Sequence, residues 1–189
     1  MRSFVNNLLR AIKGLMTTTA TTTTSFTVTK PDGTSGSSYI ELYYSGATTG
    51  VGFQSPLSSA APDNDDTYGI VVGSGITSVS LGDYNLVSKI AHGTGSGQLD
   101  YDVTDYTDLG LDTGVSPPVY RCRLLRTFKN LSGASISINE VGIISRSRTK
   151  KDTVTEVKYL IARDVLSSTY TVPNGGSATV AIVIEVVVG

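Results

Sequence analysis

Apolar residues open the chain at spacings of three and four: Phe4, Val5, Leu8, Leu9, Ile12, Leu15 and Met16, with Arg2, Asn6, Asn7, Arg10 and Lys13 between them. A 3.6-residue period gathers those apolar positions on one stripe, so the pattern predicts an amphipathic helix. The stretch is too short and too interrupted by charge to span a bilayer, and Arg10 and Lys13 break the apolar run that a signal peptide needs. With few bulky aromatics and little basic charge it reads as a helix that docks on a partner protein, ahead of one that lies on a membrane. The tract Thr17-Thr-Thr-Ala-Thr-Thr-Thr-Thr24 that follows cannot build a core by itself and reads as an extended arm. These readings divide the chain into a helix and arm over residues 1–24 and one folded domain over residues 25–189.

From Ser25 onward the period becomes two. Phe26 and Val28 alternate with Thr27 and Thr29, Pro31-Asp-Gly33 supplies a turn, and Tyr39-Ile-Glu-Leu-Tyr-Tyr44 follows as a second strand. A loop with Pro56, Pro62 and the acidic run Asp63-Asn-Asp-Asp66 precedes the apolar strand Tyr68-Gly-Ile-Val-Val72. Gly73-Ser-Gly75 lacks both a third glycine at dinucleotide-binding spacing and a following Gly-Lys-Ser/Thr, so it is read as a turn whose glycines supply positive φ. Four more strands are expected at Val119 to Phe128, Ser135 to Ser145, Glu156 to Val165 and Ala178 to Val188. Alternation assigns Ile136 and Ile138, and Val180, Ile182 and Ile184, to the core. Turns at Asn130-Leu-Ser-Gly-Ala134 and Pro173-Asn-Gly-Gly176 link these strands without intervening helices, which predicts antiparallel pairing and an all-β sandwich.

A chain of 189 residues can bury a core without disulfides or metals, and only 16% of it is charged, so hydroxyls and backbone make much of the surface. Fifteen basic against sixteen acidic residues give a net charge of -1, which removes the electrostatic case for a nucleic-acid or anionic-membrane partner. Cys122 is the one cysteine and reads as a structural thiol on a strand, while His92, in the Gly-rich stretch Ala91 to Gly97, could be its base only if the fold joined them. The run Asp63 to Asp66 lacks the ordered ligand spacing of a calcium loop, and Asp100, Asp102, Asp105, Asp108 and Asp112 define no coordination sphere. The segment Arg146-Ser-Arg-Thr-Lys-Lys-Asp152 reads as a solvated basic hairpin tip. No catalytic, cofactor-binding or metal-binding residue is assigned, and neither a cofactor nor a small-molecule substrate is expected.

Two stretches carry a resemblance. Gly69-Ile-Val-Val-Gly-Ser-Gly-Ile-Thr-Ser-Val-Ser-Leu-Gly-Asp-Tyr-Asn-Leu86 is one. The other runs from Arg126 to Ile143 through Asn139-Glu-Val-Gly142, and on through Leu160-Ile-Ala-Arg-Asp-Val165 to Tyr170-Thr-Val-Pro-Asn-Gly-Gly-Ser-Ala-Thr-Val180. Together they resemble a group of small β-sandwich structural proteins of tailed bacteriophages and related viruses, over roughly residues 69 to 188. The resemblance implies a jelly-roll-like sandwich in a virion, at the capsid surface or vertices or at the head-to-tail neck, with copies of itself and other virion proteins as partners. It implies no catalytic residue, and the polar members of the matched strands, Glu140, Arg163 and Asp164, are expected in an ion-pair network that fixes strand register. The alternative function is a carbohydrate- or receptor-binding module of a virion fibre or tail using Tyr39, Tyr43, Tyr44, Tyr101 and Tyr106. A hydrolase using carboxylate pairs within residues 100 to 112 is a further rival.

Overall fold

A computed structural model describes residues 5–10, 24–40, 42–45, 50–53, 58–149 and 155–188. The fold is all-β, and every strand pair is antiparallel among the described residues. A central sheet joins β5 (Gly69–Gly73), β8 (Ile136–Thr149) and β9 (Thr155–Val172) in the order β5-β8-β9. A second sheet joins β6 (Asp100–Asp112), β7 (Val119–Lys129) and β10 (Ser177–Val187) in the order β10-β7-β6. Two hairpins, β1 (Thr24–Thr29) with β2 (Ser35–Ile40) and β3 (Leu42–Ser45) with β4 (Gly50–Phe53), complete the strands.

The central sheet is buried on both faces. All five residues of β5 are buried, as is the run Glu140 to Ser145 of β8 and the run Tyr159 to Arg163 of β9. Such continuous apolar runs, rather than alternation, are what two covered faces select. One face meets β7 and β10, with Leu124, Phe128, Ala178 and Ile182 in the same core cluster as Ile138, Val141 and Ile143. Against the other lies the segment that follows β5, whose Leu86 reaches Gly142. The β1–β2 hairpin adds Phe26, edge-on to Tyr159 at 6.3 Å between ring centres. As the alternation required, Ile136, Ile138 and Ile182 are buried, with Val180 and Ile184 packed on the same cluster.

The hairpin turns follow their sequences. Asn130 ties the β7–β8 turn to the β9–β10 turn by donating to the carbonyls of Ala134 and Val172, both at 2.8 Å. Gly175 holds φ 77 in the second turn, a conformation that a side chain disfavours. Residues 6–10 make one short helical turn whose start is fixed to the chain's own body: the Val5 amide donates to Ile161 and the Asn6 amide to Leu81.

One strand was not expected, and β8 and β9 run past their expected ends at Ser145 and Val165, to Thr149 and Val172. Residues 100–112, whose acidic positions show no period of two, form the unexpected strand, β6. A bulge lies between Tyr101 and Thr104 of β6 and another between Asp108 and Gly110, while Leu166 to Thr169 of β9 have no partner in register on β8. Each extra residue shifts the alternation, which hides the strand from a period-two reading.

Candidate functional site

The chemistry-bearing side chains of the interior form two clamps. Glu140 of β8 and Arg163 of β9 are both fully buried and meet at 2.8 Å, Nε to Oε2. The carboxylate also accepts three backbone amides: Gly75 at 3.1 Å and Ser88 at 2.8 Å on Oε1, and Val87 at 3.1 Å on Oε2. Four donors thus satisfy the two oxygens of a buried anion, the condition under which its burial is tolerated. Arg163 spends its remaining nitrogens on the same segment, Nη1 on Asp83 and Nη2 on the Thr77 carbonyl, each at 2.8 Å. The pair therefore pins residues 75–88 across the central sheet.

Glycine geometry explains the local sequence. A Cβ on Gly73 or Gly75 would stand 2.6 or 2.5 Å from Glu140 Oε1, and one on Gly142 would stand 2.5 Å from Leu86 Cδ1. Neither Gly73 nor Gly75 has the positive φ expected for it; both are glycines because the carboxylate passes over them. Glu140-Val-Gly142 is accordingly one device: the glutamate anchors the pinned segment and the glycine receives its leucine.

Arg126 of β7 is the second clamp. It is 1% exposed, and its guanidinium bonds to five backbone carbonyls: Asp102, Tyr68, Ile70, Pro62 and Asp65, at 2.6 to 3.2 Å. It also lies 4.8 Å over the Tyr101 ring. The planar five-donor fork suits a ring of carbonyls that an ammonium could not reach together. Burial pulls this guanidinium below its ordinary value, which the neighbouring Tyr101, Asp65, Asp66 and Asp102 partly offset. The clamp ties the Pro62–Asp65 loop to β5 and β6.

Of the apolar helix residues, Val5 and Leu8 are buried in the chain's own core and Leu9 is exposed. Phe4, Ile12, Leu15 and Met16 lie outside the described residues, as do residues 11–23 of the arm. Asp164 does not share the Glu140 site; its Oδ1 accepts the Val165 amide at 3.0 Å, and the second carboxylate on Arg163 is that of Asp83. Arg126 and Asp83 were legible only as charged letters in the matched stretches; no local pattern marks residues whose partners lie as far as 64 and 80 positions away.

The structure does not bring Cys122 to His92. Cys122 pairs in register with Asp108 and Ile184, whereas His92 bridges to Leu99, with its Nδ1 accepting the Tyr101 amide at 3.2 Å. Burial pushes the Cys122 thiol up, away from the thiolate form that attacks. The carboxylates of β6 are spread along the strand with separate partners: Asp102 with Lys129, Asp108 with the Tyr120 hydroxyl, Asp112 with Arg121. Among the described residues no group of three His, Cys, Asp or Glu could hold a metal ion, and no helix is long and apolar enough to cross a membrane. Tyr101 is buried and donates to Ile90 at 2.6 Å, which removes it from any exposed aromatic platform, while Tyr106 is exposed. The side chains of Tyr39, Tyr43 and Tyr44 lie outside the described set.

What the surface offers instead is apolar. Register with β7 places Tyr106 and Leu111 of β6 opposite Leu124 and Tyr120, and Val186 of β10 opposite Tyr120 as well. These belong to the face that elsewhere covers the central sheet, yet Tyr106, Leu111 and Val186 are each more than half exposed. The β6–β7–β10 sheet thus outruns the sheet it packs on. Beneath the overhang is a cavity of about 750 Å³ lined by Leu9, Tyr106, Cys122, Leu124, Ile143 and Ile184, among others. No protein family, curated protein or solved structure matches the chain.

Proposed function

We propose that the chain is a structural protein of a virus particle, a jelly-roll-like β-sandwich held at the capsid surface or vertices or at the head-to-tail neck by contacts with copies of itself and other virion proteins. The observation that carries this reading is the apolar overhang of the β6–β7–β10 sheet, where Tyr106, Leu111 and Val186 are each more than half exposed, because clustered exposed apolar side chains mark a protein contact. The motifs behind the resemblance add support: Glu140, Gly142, Arg163 and the segment 69–86 converge on one clamp, so the shared residues serve a scaffold. The N-terminal segment enters the reading as a strap whose first turn is seated on its own domain.

Light scattering on the full chain, expressed alone and followed over a wide concentration range, tests the assembly claim. A defined multimer of the 19.8 kDa chain is expected. A monomer at every concentration contradicts self-assembly. The second reading, a carbohydrate- or receptor-binding module, draws on Tyr106 and Tyr120, exposed on one face. Binding on a glycan array that is lost in Tyr106→Ala would favour it over assembly.

A further inference from the structure

We propose that β10 is the docking edge for a second copy of this chain: two β10 strands pair antiparallel about a twofold axis and join two three-stranded sheets into one of six strands. The inference rests on the assembly reading and names its surface. β10 is bonded to β7 through eleven consecutive residues without a register shift, and its other side has no strand partner among the described residues. Such an edge presents a row of unpaired amides and carbonyls, which folded proteins blunt with lysine, proline, bulges or a short strand. The sequence Ser177-Ala-Thr-Val-Ala-Ile-Val-Ile-Glu-Val-Val187 has none of these devices.

The opposite edge of the same sheet has several. β6 carries two bulges, Gly110 at φ 75, and Asp100, Asp102, Asp105, Asp108 and Asp112, so a second β6 laid against it would meet like charges on a kinked strand. The contrast within one sheet identifies the open edge. The occupant follows from charge. Glu185 is the one charged residue of β10, and Arg121 of the same chain already binds it at 2.6 Å, so a β10 strand meets its own copy without opposed charge. An antiparallel contact between identical edges is also the arrangement a twofold axis closes, leaving only the bulged, acidic β6 edges at the ends of the joined sheet.

Exposed apolar side chains flank the edge: Val183 and Val187 on the outer face, 45% and 63% exposed, and Val186 on the inner face, 57% exposed. Cavities of about 750 and 390 Å³ border β10, the second lined by Ile138, Val141, Leu166, Ala178 and Ile182, and give the partner's side chains room to enter.

The test compares the full chain with Val183→Lys/Val187→Lys and with Val103→Lys on β6, by sedimentation over a range of concentrations, with circular dichroism to confirm the fold. Both β10 positions are solvent-exposed, so lysines there leave the core intact. The proposal expects an even-numbered multimer for the full chain and for Val103→Lys, and a halved mass or a dissociation constant raised at least 100-fold for the β10 variant. Unchanged assembly of the β10 variant overturns the β10 edge and leaves the assembly reading standing. A full chain that stays monomeric overturns both. If the β10 variant misfolds, amide exchange of the unaltered chain decides: β10 amides must gain protection on concentration, and exchange that is independent of concentration in a multimer overturns the edge.

Discussion

Individual residues here are chosen by partners far away in sequence. Glu140 is buried, fully bonded and opposed by one arginine, so Glu140→Gln keeps the shape and removes the charge that Arg163 needs. Breaking one partner of a buried pair costs about 3–5 kcal/mol; with Asp83 still on Arg163 the lower end is expected, read as a drop in the denaturant midpoint. The amides of Gly75, Val87 and Ser88 should lose exchange protection in the same variant, because they donate to the carboxylate. Arg126→Lys tests the other clamp. An ammonium with three donors cannot serve five carbonyls, and leaving at least two buried acceptors unpaired costs about 2–6 kcal/mol, measurable by urea unfolding. From the sequence, Glu140, Arg163 and Asp164 were read together as one ion-pair network because all three sat within the matched strands; the carboxylates on Arg163 are those of Glu140 and Asp83. The reason for Gly73 and Gly75 was not, since a glycine chosen for close approach and one chosen for positive φ are the same letter.

Elements were legible where one rule governed them. The strands from Val119 to Val188 and β1 stood out because hydrophobic runs ended at turn residues, whereas the second strand expected at Tyr39 to Tyr44 divides between the end of β2, which pairs with β1 from Ser35, and β3, which pairs with β4. β6 escaped because its inward positions are Tyr101, Thr104, Tyr106, Asp108 and Leu111, spacings of three, two, two and three set by its bulges. A period of two cannot find them. The same strand carries a pH response. Its bond from the Val103 amide depresses Asp102, the bond from Tyr120 depresses Asp108, and the bond from Arg121 depresses Asp112. A carboxylate depressed on folding contributes stability that is complete above its unfolded value of 3.8 and is lost as pH falls through the folded value. Acidification below about pH 4 should therefore raise amide exchange along β6 before it reaches the central sheet, which is covered on both faces, and exchange that rises first in β8 would contradict this.

At the scale of the whole molecule, the all-β class and the antiparallel pairing followed from composition and turn spacing, while the arrangement of sheets did not. Which face of a strand is covered depends on strands that are distant in sequence, and a central sheet buried twice looks the same in one dimension as any apolar run. The N-terminal segment shows the limit: its stripe was read as docking on a partner, yet Val5 and Leu8 enter the chain's own core, and a stripe does not say whose core it enters.

The clamps also bear on how the chain acquires its structure. Gly75 meets Glu140 across 65 positions, Pro62 meets Arg126 across 64, and Thr77 meets Arg163 across 86. During synthesis the segment 75–88 therefore gains its first anchor on the central sheet only when Glu140 of β8 has been made, and that glutamate lacks its arginine until β9 follows. Non-local pairing of this kind closes long loops before any contact rewards them, so refolding belongs in the millisecond-to-second range of slow all-β domains. The same delay exposes β10, the last strand made, only when its neighbour β7 is already waiting for it, so the strand best suited to pair with another copy emerges into its own sheet first.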